Sequence, residues 1–453
     1  MADRRNEMDM THGPMAGNII RFAVPLALSS MLQQLFNMAD LAVVGRFASP
    51  EAMAAVGSNG SVVGLLVSLF TGLSVGANVV VAGILGSGRR EKISDAVHTI
   101  VSVALISGVF LLIAGMLIAR PILTLMGAPE NVIDNAVLYL RIYFCGMPAI
   151  MMYNFGSAIL RSRGDSRRPF FALTLAGVVN VLLNLLLVIV FRLHVIGVAV
   201  ATVLSNCLSG GLVMRFLMTE PNEFRLDLKK LRILPEYLKR VVSIGVPAGI
   251  QGMVFSLSNV VIQSAVNSFG SNCVAGVTAG ANFDFISYCL LQAFAQTCVT
   301  FTSQNYGAGD GARCRKAWGL CMGIGLSIDI VLVATMWLLK GTIIQIFTTD
   351  PDVIQYAMYR LNNAFVVHFL CGTYEITAGA LRGINRSMIP AIISIVGTCA
   401  VRLLYVIFIF PRFDTPGALF LVYPITWVIT GVSMNVAFLL ESQRLRELTP
   451  VNA

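Results

Sequence analysis

The stretch from Phe22 to Val44 reads FAVPLALSSMLQQLFNMADLAVV, and it is long and apolar enough to cross a lipid bilayer. About twenty residues, each rising about 1.5 Å along a helix, span the hydrocarbon layer. Within the stretch, Gln33, Asn37 and Asp40 recur at helical spacing and share one face, with Gln34 beside them. Asp40 alone could reach the headgroups, but a polar stripe that begins near mid-span favours a water-filled cavity.

The whole chain has the composition of a membrane protein. Of its 453 residues, 56% are hydrophobic and only 12% are charged, and the mean hydropathy is +0.78. Soluble proteins carry about a quarter charged residues. We therefore expect an all-α protein that crosses the membrane twelve times, at about 22–44, 59–85, 95–118, 133–160, 170–191, 195–218, 240–268, 278–305, 317–339, 353–381, 390–410 and 416–440.

The net charge of +9 reports membrane topology rather than a nucleic-acid partner. With these spans, 24 of the 32 Lys and Arg residues fall on the side of the N-terminus, among them Arg4, Arg5 and Arg446. Cytoplasmic loops carry such an excess, so both termini are predicted to be cytoplasmic. The nine cysteines form no CxxC pair, and we interpret them as packing residues. The N-terminus lacks the apolar core and cleavage site of a removable signal peptide.

The sequence also repeats itself once. At an offset of 222 residues, Pro25 meets Pro247 and Asn37 meets Asn259; at 221, the sequence Leu-Arg at 160–161 meets Leu-Arg at 381–382. Each half holds six predicted helices, an even number, so the two halves run in parallel orientation. We predict an N-terminal lobe at 1–218, a cytoplasmic linker at 219–239 and a C-terminal lobe at 240–453. Two such lobes typically enclose a cavity and rock to give alternating access.

Several motifs resemble the multidrug and toxic compound extrusion (MATE) transporters. They are the first span with its continuation GRFASPEAMAAVG, the loop ILRSRGDSRRP at 159–169, and NVLLN at 180–184 followed by GVAVATVLSN at 197–206. The resemblance covers nearly the whole chain and is strongest to the DinF-like bacterial branch. It implies a V-shaped pair of six-helix lobes in the bacterial inner membrane. Such a protein exports cationic or amphipathic compounds in exchange for H⁺ or Na⁺, and we expect a monomer without a cofactor.

The same resemblance assigns an ion-coupling site in the N-terminal lobe. Its acid matches Asp40, its fifth-helix Asn matches Asn180, and its sixth-helix Thr matches Thr202. A second fifth-helix acid, common in that branch, is Asn184 here. An amide supplies a neutral oxygen for Na⁺ but carries neither a proton nor a negative charge, so Asp40 is the only acid left. That loss favours H⁺ over Na⁺. Pro25 offers a hinge in the first helix.

Other polar residues inside the spans are candidates for the cavity wall. The repeat places Asn154 opposite Glu375, and Glu375 either lines the cavity or forms an ion pair with Arg402, which we favour. Asp329 is the alternative partner of Arg402. Asp284 could hold a cationic substrate between Phe283 and Phe285, or belong to an ordinary interfacial belt. The remaining candidates line one face of the seventh span: Asn259 and Gln263.

The alternatives to drug export are an enzyme, a lipid-linked oligosaccharide flippase and a solute importer. The chain has no GxxxxGK[ST] loop, so we expect no nucleotide hydrolysis and no enzyme activity, and the energy must come from an ion gradient. A lipid-linked oligosaccharide flippase would need many cationic groups for its pyrophosphate, whereas Arg402 alone lies well inside a span. An importer of the major facilitator type would carry a Gly-Asp-Arg signature that the loop GSGRREKISD lacks. We therefore predict a drug antiporter.

Overall fold

The computed structural model describes residues 8–47, 50–125, 130–413 and 415–445. Within these ranges, all the regular secondary structure is helical. The all-α multi-span fold predicted from the sequence is therefore confirmed. Arg4, Arg5 and Arg446, which entered the charge count, lie outside the described residues.

The first compact unit comprises 1–9 and 24–249, and the second comprises 10–23 and 250–453. Up to the linker, the α-helices are α1 (Met15–Phe47), α2 (Pro50–Gly86), α3 (Ile93–Leu125), α4 (Glu130–Cys145), α5 (Met147–Ser162), α6 (Arg167–Asn184) and α7 (His194–Met218). A π-helical turn at Leu185–Val190 extends α6, and short 3₁₀ turns lie at Arg90–Lys92 and Leu228–Lys230.

After the linker, the chain continues with a second set of helices. They are α8 (Pro235–Asn267), α9 (Ser271–Gly307), α10 (Gly311–Leu338), α11 (Lys340–Phe347), α12 (Pro351–Asn363), α13 (Phe369–Gly383), α14 (Met388–Ser394), α15 (Val401–Leu404), α16 (Pro416–Phe420) and α17 (Val422–Arg444). Two π-helical turns, Ile395–Ala400 and Tyr405–Ile409, flank α15, and 3₁₀ turns lie at Phe365–Val367 and Phe410–Arg412.

Ten of the described helical segments are long and apolar enough to cross a membrane, and two bent pairs bring the number to twelve. The fourth predicted span, 133–160, is bent by 47° between α4 and α5, and the tenth, 353–381, by 46° between α12 and α13. In the fourth span the cause is local, because Pro148, the second residue of α5, has no N–H to continue the hydrogen-bond ladder. Neither bend was predicted.

The surface of the helices fits lipid contact rather than water. Leu117, Leu125 and Leu338 leave 71%, 87% and 75% of their surface exposed, and they lie on helices that carry few charges. Soluble proteins rarely present such large contiguous apolar areas to water.

The two helix sets repeat each other in structure as they do in sequence. Helices α1 and α8 each have 33 residues, and α2 and α9 each have 37. The fourth and tenth spans are bent to nearly the same angle, and both α6 and α14 run into a π-helical turn. This correspondence supports the predicted duplication.

The chain passes between the two units inside α1 and α8, each of which contains a proline. The boundary falls between Ala23 and Val24 in α1 and between Gly249 and Ile250 in α8. Pro25 and Pro247 lie within three residues of these points. A proline inside a helix removes one backbone hydrogen bond, so both crossing points are mechanically weakened.

Within the first unit, α2 and the N-terminal half of α8 cross with their backbones in close approach. A Cβ on Gly72 would lie 2.2 Å from the backbone nitrogen of Gly249, and one on Gly245 would lie 2.5 Å from the Cα of Leu73. The GxxxG spacings at Gly72/Gly76 and Gly245/Gly249 therefore serve packing.

Candidate functional site

Helix α1 buries Asp40 but leaves the rest of its polar stripe more open. Asp40 exposes 8% of its surface, whereas Gln33 and Asn37 are exposed and Gln34 is half-buried. The side chain of Phe36 packs on Gly177 of α6, where any Cβ would overlap its ring, and this contact fixes α1 against α6. Asp40 therefore points into the first unit.

Helix α6 supplies the amide partner of Asp40 at its last residue. Asn184 donates from Nδ2 to Asp40 Oδ1 and lies 3.3 Å from Asn180 Oδ1, one turn earlier. Asn180 in turn donates to Ser205 Oγ of α7 at 3.3 Å. Because Asn184 is followed at once by the π-helical turn Leu185–Val190, the cluster lies where the α-helical ladder changes its pattern, as π-turns often do at functional sites.

Helix α7 contributes the second contact to Asp40. Thr202 Oγ1 lies 3.5 Å from Asp40 Oδ2 and 2.9 Å from the carbonyl oxygen of Val198. A hydroxyl has one proton, and the shorter distance assigns it to the carbonyl. The Thr202 oxygen then turns a lone pair toward Asp40, an arrangement that is favourable once a proton or a cation lies between the two oxygens.

The chemistry of the cluster fits a proton or Na⁺ rather than a transition metal. Asn184 Oδ1 is buried and finds no hydrogen-bond partner among the described residues. Together with Asp40 and Thr202 it makes a set of hard oxygen donors. Within the parts of the chain that the structure describes, no group of three or more His, Cys, Asp or Glu side chains could hold a metal ion. The structure thus brings Asp40, Asn180, Asn184 and Thr202 together, as the resemblance implied.

Three neighbours of the cluster were not singled out from the sequence. Ser205 accepts the hydrogen bond from Asn180. It could have been predicted from the sequence, because it lies three residues after Thr202 and therefore on the same face of α7. Tyr139 and Tyr143 of α4 stack with ring centroids 6.2 Å apart and lie within electrostatic reach of Asp40. Around them, apolar side chains including Val43, Val44, Val188, Val195 and Val198 form a buried core that keeps water from this side of the carboxylate.

The predicted ion pair between Glu375 and Arg402 is wrong. Arg402, which is 1% exposed, donates from Nη1 to Asn259 Oδ1 at 3.0 Å, and its guanidinium lies over the rings of Phe255 and Tyr423. Two aromatic faces and an amide therefore balance its charge in place of a carboxylate. Glu375 instead accepts a long hydrogen bond of 3.5 Å from Gln292.

Asp284 is not the open carboxylate that a cationic substrate would need. Arg360 of α12 donates to Asp284 Oδ2 from Nε at 2.8 Å and from Nη2 at 2.5 Å. The negative charge of Asp284 is therefore already balanced by an arginine. The sequence could not predict this pair, because Arg360 and Asp284 lie 76 residues apart on different helices. Asp329, the other suggested partner of Arg402, is bound to Ser287.

The remaining cavity candidates do not join the Asp40 cluster. Gln263 donates to Asn267 at 2.9 Å along the exposed face of α8, and Asn154 is half-buried in α5. Ile262, which the repeat places opposite Asp40, belongs to an apolar core with Val266 and Tyr405. The cluster therefore has no counterpart acid at that position of the second unit.

Comparison with known proteins identifies a family. The MatE family model matches residues 25–186 and again 247–407, two copies offset by 222 residues at their start. The chain is 30% identical over 383 residues to the Probable multidrug resistance protein YoeA of Bacillus subtilis, covering 83% of this chain and 82% of that protein. It is 25% identical over 444 residues to a FAD transporter of Shewanella oneidensis, covering 96% of each.

The fold is similar to that of solved transporters. One structure, described as the outward-facing conformation of a multidrug resistance MATE family transporter of the MOP superfamily, superposes with a TM-score of 0.87. The match covers 98% of each chain at 23% identity, which is a similarity of fold.

Proposed function

The chain belongs to the MATE family of multidrug efflux transporters, and on that premise we propose that it is a secondary antiporter exporting cationic or amphipathic compounds in exchange for H⁺ or Na⁺. The observation that carries the proposal is the buried Asp40 cluster. One ionisable carboxylate lies among neutral oxygens and amides from two other helices. The proposal also places the chain in the DinF-like branch, because the acid lies on α1.

In this mechanism Asp40 alternates between an ionised state and a neutral one. The N–H of Asn184 supports the ionised carboxylate. In the neutral state, a proton on Oδ2 would donate to the lone pair of Thr202, or Na⁺ would be held by the oxygens of Asp40, Asn184 and Thr202. Since Asn184 adds no charge, only one positive charge is needed to neutralise the site, and H⁺ is the expected ion.

Loading the site changes the contacts that hold α1. Asp40 ties α1 to α6 through Asn184 and to α7 through Thr202. When the carboxylate is neutralised, its charge-assisted contact with Asn184 weakens and the Thr202 oxygen becomes a partner of the bound proton or cation, so α1 can shift about Pro25. Alternating access follows if the shift changes which side of the membrane the substrate can reach.

The proposal extends to cellular placement. The excess of basic residues on one side supports an inner-membrane protein with both termini in the cytoplasm. We propose a monomer whose lobes, 1–218 and 240–453, are joined by the linker at 219–239.

A second cargo is favoured by one of the relatives. The Shewanella oneidensis protein called a FAD transporter matches over 96% of both chains, so a flavin dinucleotide is an alternative substrate. A lipid-linked oligosaccharide is disfavoured, because Arg402 is buried against Phe255, Tyr423 and Asn259 and does not offer its charge to a pyrophosphate. Competition of cationic dyes, FAD and polyprenyl-linked sugars for the purified protein separates these three classes.

The test uses purified protein in proteoliposomes loaded with a cationic dye. A pH gradient alone, and then a Na⁺ gradient alone, is imposed and dye efflux is followed. We expect efflux with the pH gradient and its loss in Asp40→Asn. Asp134→Asn is the matched control, because Asp134 is an exposed acid paired with Arg120 outside the cluster. Full gradient-driven efflux by Asp40→Asn would refute the mechanism, and dependence on Na⁺ alone would assign Na⁺ as the ion.

A further inference from the structure

The second unit contains a buried polar trio that the Asp40 mechanism does not use. Ser287 of α9, Asp329 of α10 and His368, which precedes α13, are 0%, 0% and 4% exposed. Ser287 Oγ lies 2.7 Å from Asp329 Oδ1 and 2.6 Å from His368 Nδ1. The serine hydroxyl thus bridges a carboxyl group and an imidazole.

Counting protons shows that the bridge has a direction. Ser287 has one hydroxyl proton and two partners, so it donates to one and accepts from the other. If it donates to an ionised Asp329, then His368 must carry a proton on Nδ1 and donate to the serine. If it donates to His368, then Asp329 must be protonated and donate to the serine. In either case, a proton lies on His368 Nδ1 or on Asp329 Oδ1.

The second oxygen of Asp329 shows why the location of this proton matters. Asp329 Oδ2 is buried and has no hydrogen-bond partner among the described residues. A carboxylate with one bare oxygen inside the membrane is costly unless it is protonated or faces a cation. The trio can meet this requirement either by protonating Asp329 or by placing the positive charge on His368, one hydroxyl away.

The trio is not a packing requirement of the fold. At the repeat offset of 221 residues, its three positions correspond to Leu66, Gly108 and Met147 in the first half. There Gly108 packs directly on Met147 and Pro148, so the same contact between helices is made without any polar group. A polar trio at this place is therefore an added feature of the second half.

Charged and titratable groups on several neighbouring helices act on the trio. Asp284 and Arg360 act on His368 but form an ion pair with each other, in which two arginine N–H groups donate to Asp284 Oδ2. Trp427 of α17 packs edge-on against His368, with ring centroids 5.1 Å apart. Cys371 of α13 lies within electrostatic reach of Asp329, and Tyr374, Glu375 and Arg402 act on Cys371 in turn. Tyr288, which follows Ser287 on α9, accepts a hydrogen bond from Gln292.

We propose that Asp329, Ser287 and His368 form a second proton-binding site, separate from Asp40, in which one proton is shared between a carboxyl group and an imidazole through a serine hydroxyl. In the transfer, Asp329 Oδ1–H passes its proton to Ser287 Oγ while the serine passes its own proton to His368 Nδ1. The number of protons and the net charge of the trio stay the same. Release of a proton from the resulting imidazolium then leaves an ionised Asp329 and a neutral histidine.

The binding of this proton does not depend on transport. A role in coupling does rest on the proposed antiport, because only a protein driven by protons would use a second site to move them. The experiment therefore measures proton binding in an Asp40→Asn background, where the first site is absent. If the antiport proposal fails, this measurement still shows whether Asp329 binds a proton.

The measurement is infrared difference spectroscopy of the purified full chain between about pH 5 and about pH 8, the window in which imidazole titrates. In the Asp40→Asn variant, we expect a carboxylic acid C=O band that disappears as the pH rises. In the double variant, which carries Asp329→Asn as well, this band should be missing. Glu375→Gln in the same background removes another buried carboxyl group of this unit and should leave the band in place.

Ser287→Ala in the same background keeps the test decisive if Asp329→Asn fails to fold. Loss of the bridging hydroxyl should shift the midpoint of the band by about one pH unit or more, since one hydrogen bond to a charged group is removed. Three results would overturn the proposal: a band that survives Asp329→Asn, a band that vanishes with Glu375→Gln, or a midpoint that Ser287→Ala leaves unchanged.

Discussion

Asn184 sets the charge of the Asp40 cluster. It gives its N–H to Asp40, leaves its own oxygen unpartnered among the described residues, and cannot ionise. The cluster therefore carries at most one negative charge, and a single proton neutralises it. This residue is the point at which the chain departs from the two-acid pattern of the proposed DinF-like branch.

Asn184→Asp tests this role directly. Two carboxylates in contact cannot both ionise at ordinary cost, so they share a proton or attract a cation. We expect the pH midpoint of dye efflux to rise by about one unit or more and Na⁺ to stimulate transport. The double variant Asp40→Asn with Asn184→Asp keeps one acid and serves as the charge-matched control, with no rise in midpoint. An unchanged midpoint and no response to Na⁺ in the single variant would contradict the prediction.

Glu220 ties together two arginines at one end of the first unit. Its side chain is 5% exposed and accepts from Arg163 at 2.7 and 2.9 Å and from Arg168 at 2.5 Å. Burial opposes ionisation, but the hydrogen bonds and charges of the two arginines outweigh it and hold the pKa of the Glu220 carboxyl below its usual value. A group with a lowered folded pKa stabilises the protein above its unfolded pKa.

Glu220→Gln should therefore lower stability by about 3 kcal/mol near neutral pH, because it leaves the buried Arg163 without a counter-charge, while Arg168 keeps its pair with Asp165. The wild type should lose this advantage as the pH falls below about 4.3, the ordinary glutamate value, and the two Tm values should converge. Thermal unfolding in detergent over a pH series measures both. Glu223→Gln is the control: its pair with Arg90 is more exposed, with side chains 24% and 39% accessible, and should contribute about 1 kcal/mol or less. Equal losses in the two variants would argue against the buried network.

At the scale of helices, the crossing of α2 and α8 depends on glycine. Gly72 and Gly76 face Gly245 and Gly249 so closely that backbone touches backbone. Two helices can approach this closely only where neither carries a side chain. The crossing lies close to Gly249–Ile250, where the chain passes from one unit to the other within α8.

Gly72→Ala should destabilise the protein by about 1–3 kcal/mol, because its methyl group would overlap backbone atoms that have no rotamer to change. Gly319→Ala in α10 is the matched control, since a Cβ there meets nothing within 4 Å. It should change stability by no more than about 1 kcal/mol, in the direction of helix propensity. The comparison of their Tm values in detergent decides the matter, and a Gly72→Ala protein as stable as Gly319→Ala would disprove the close crossing.

At the scale of the whole molecule, basic residues orient the chain in the membrane. The linker around Lys229 is predicted to be cytoplasmic, and the segment around Arg412 is predicted to face the outside. Both side chains are exposed. The positive-inside rule thus makes opposite predictions for two accessible positions.

Cysteine labelling tests this orientation. In a background from which the nine native cysteines have been removed, Arg412→Cys should react with a membrane-impermeant maleimide in intact cells. Lys229→Cys should react only after the cells are permeabilised. Labelling of Lys229→Cys in intact cells, with Arg412→Cys protected, would reverse the predicted topology.

The sequence by itself determined the properties that depend on local pattern and on composition. Apolar length gave the membrane spans, the repeat gave two related halves, and helical spacing put Gln33, Asn37 and Asp40 on one face. The positions of Asp40, Asn180, Asn184 and Thr202 came from matching motifs, and the fold then brought them together.

Only the tertiary structure decided which buried charges pair. Arg402 contacts Asn259 and two aromatic rings instead of Glu375. Asp284 pairs with Arg360, and Ser287 bridges Asp329 and His368. These partners lie 42 to 143 residues apart in the chain. Spacing along one helix fixes the direction of a side chain, but its partner depends on how neighbouring helices rotate and bend, and that is set by packing of the whole unit.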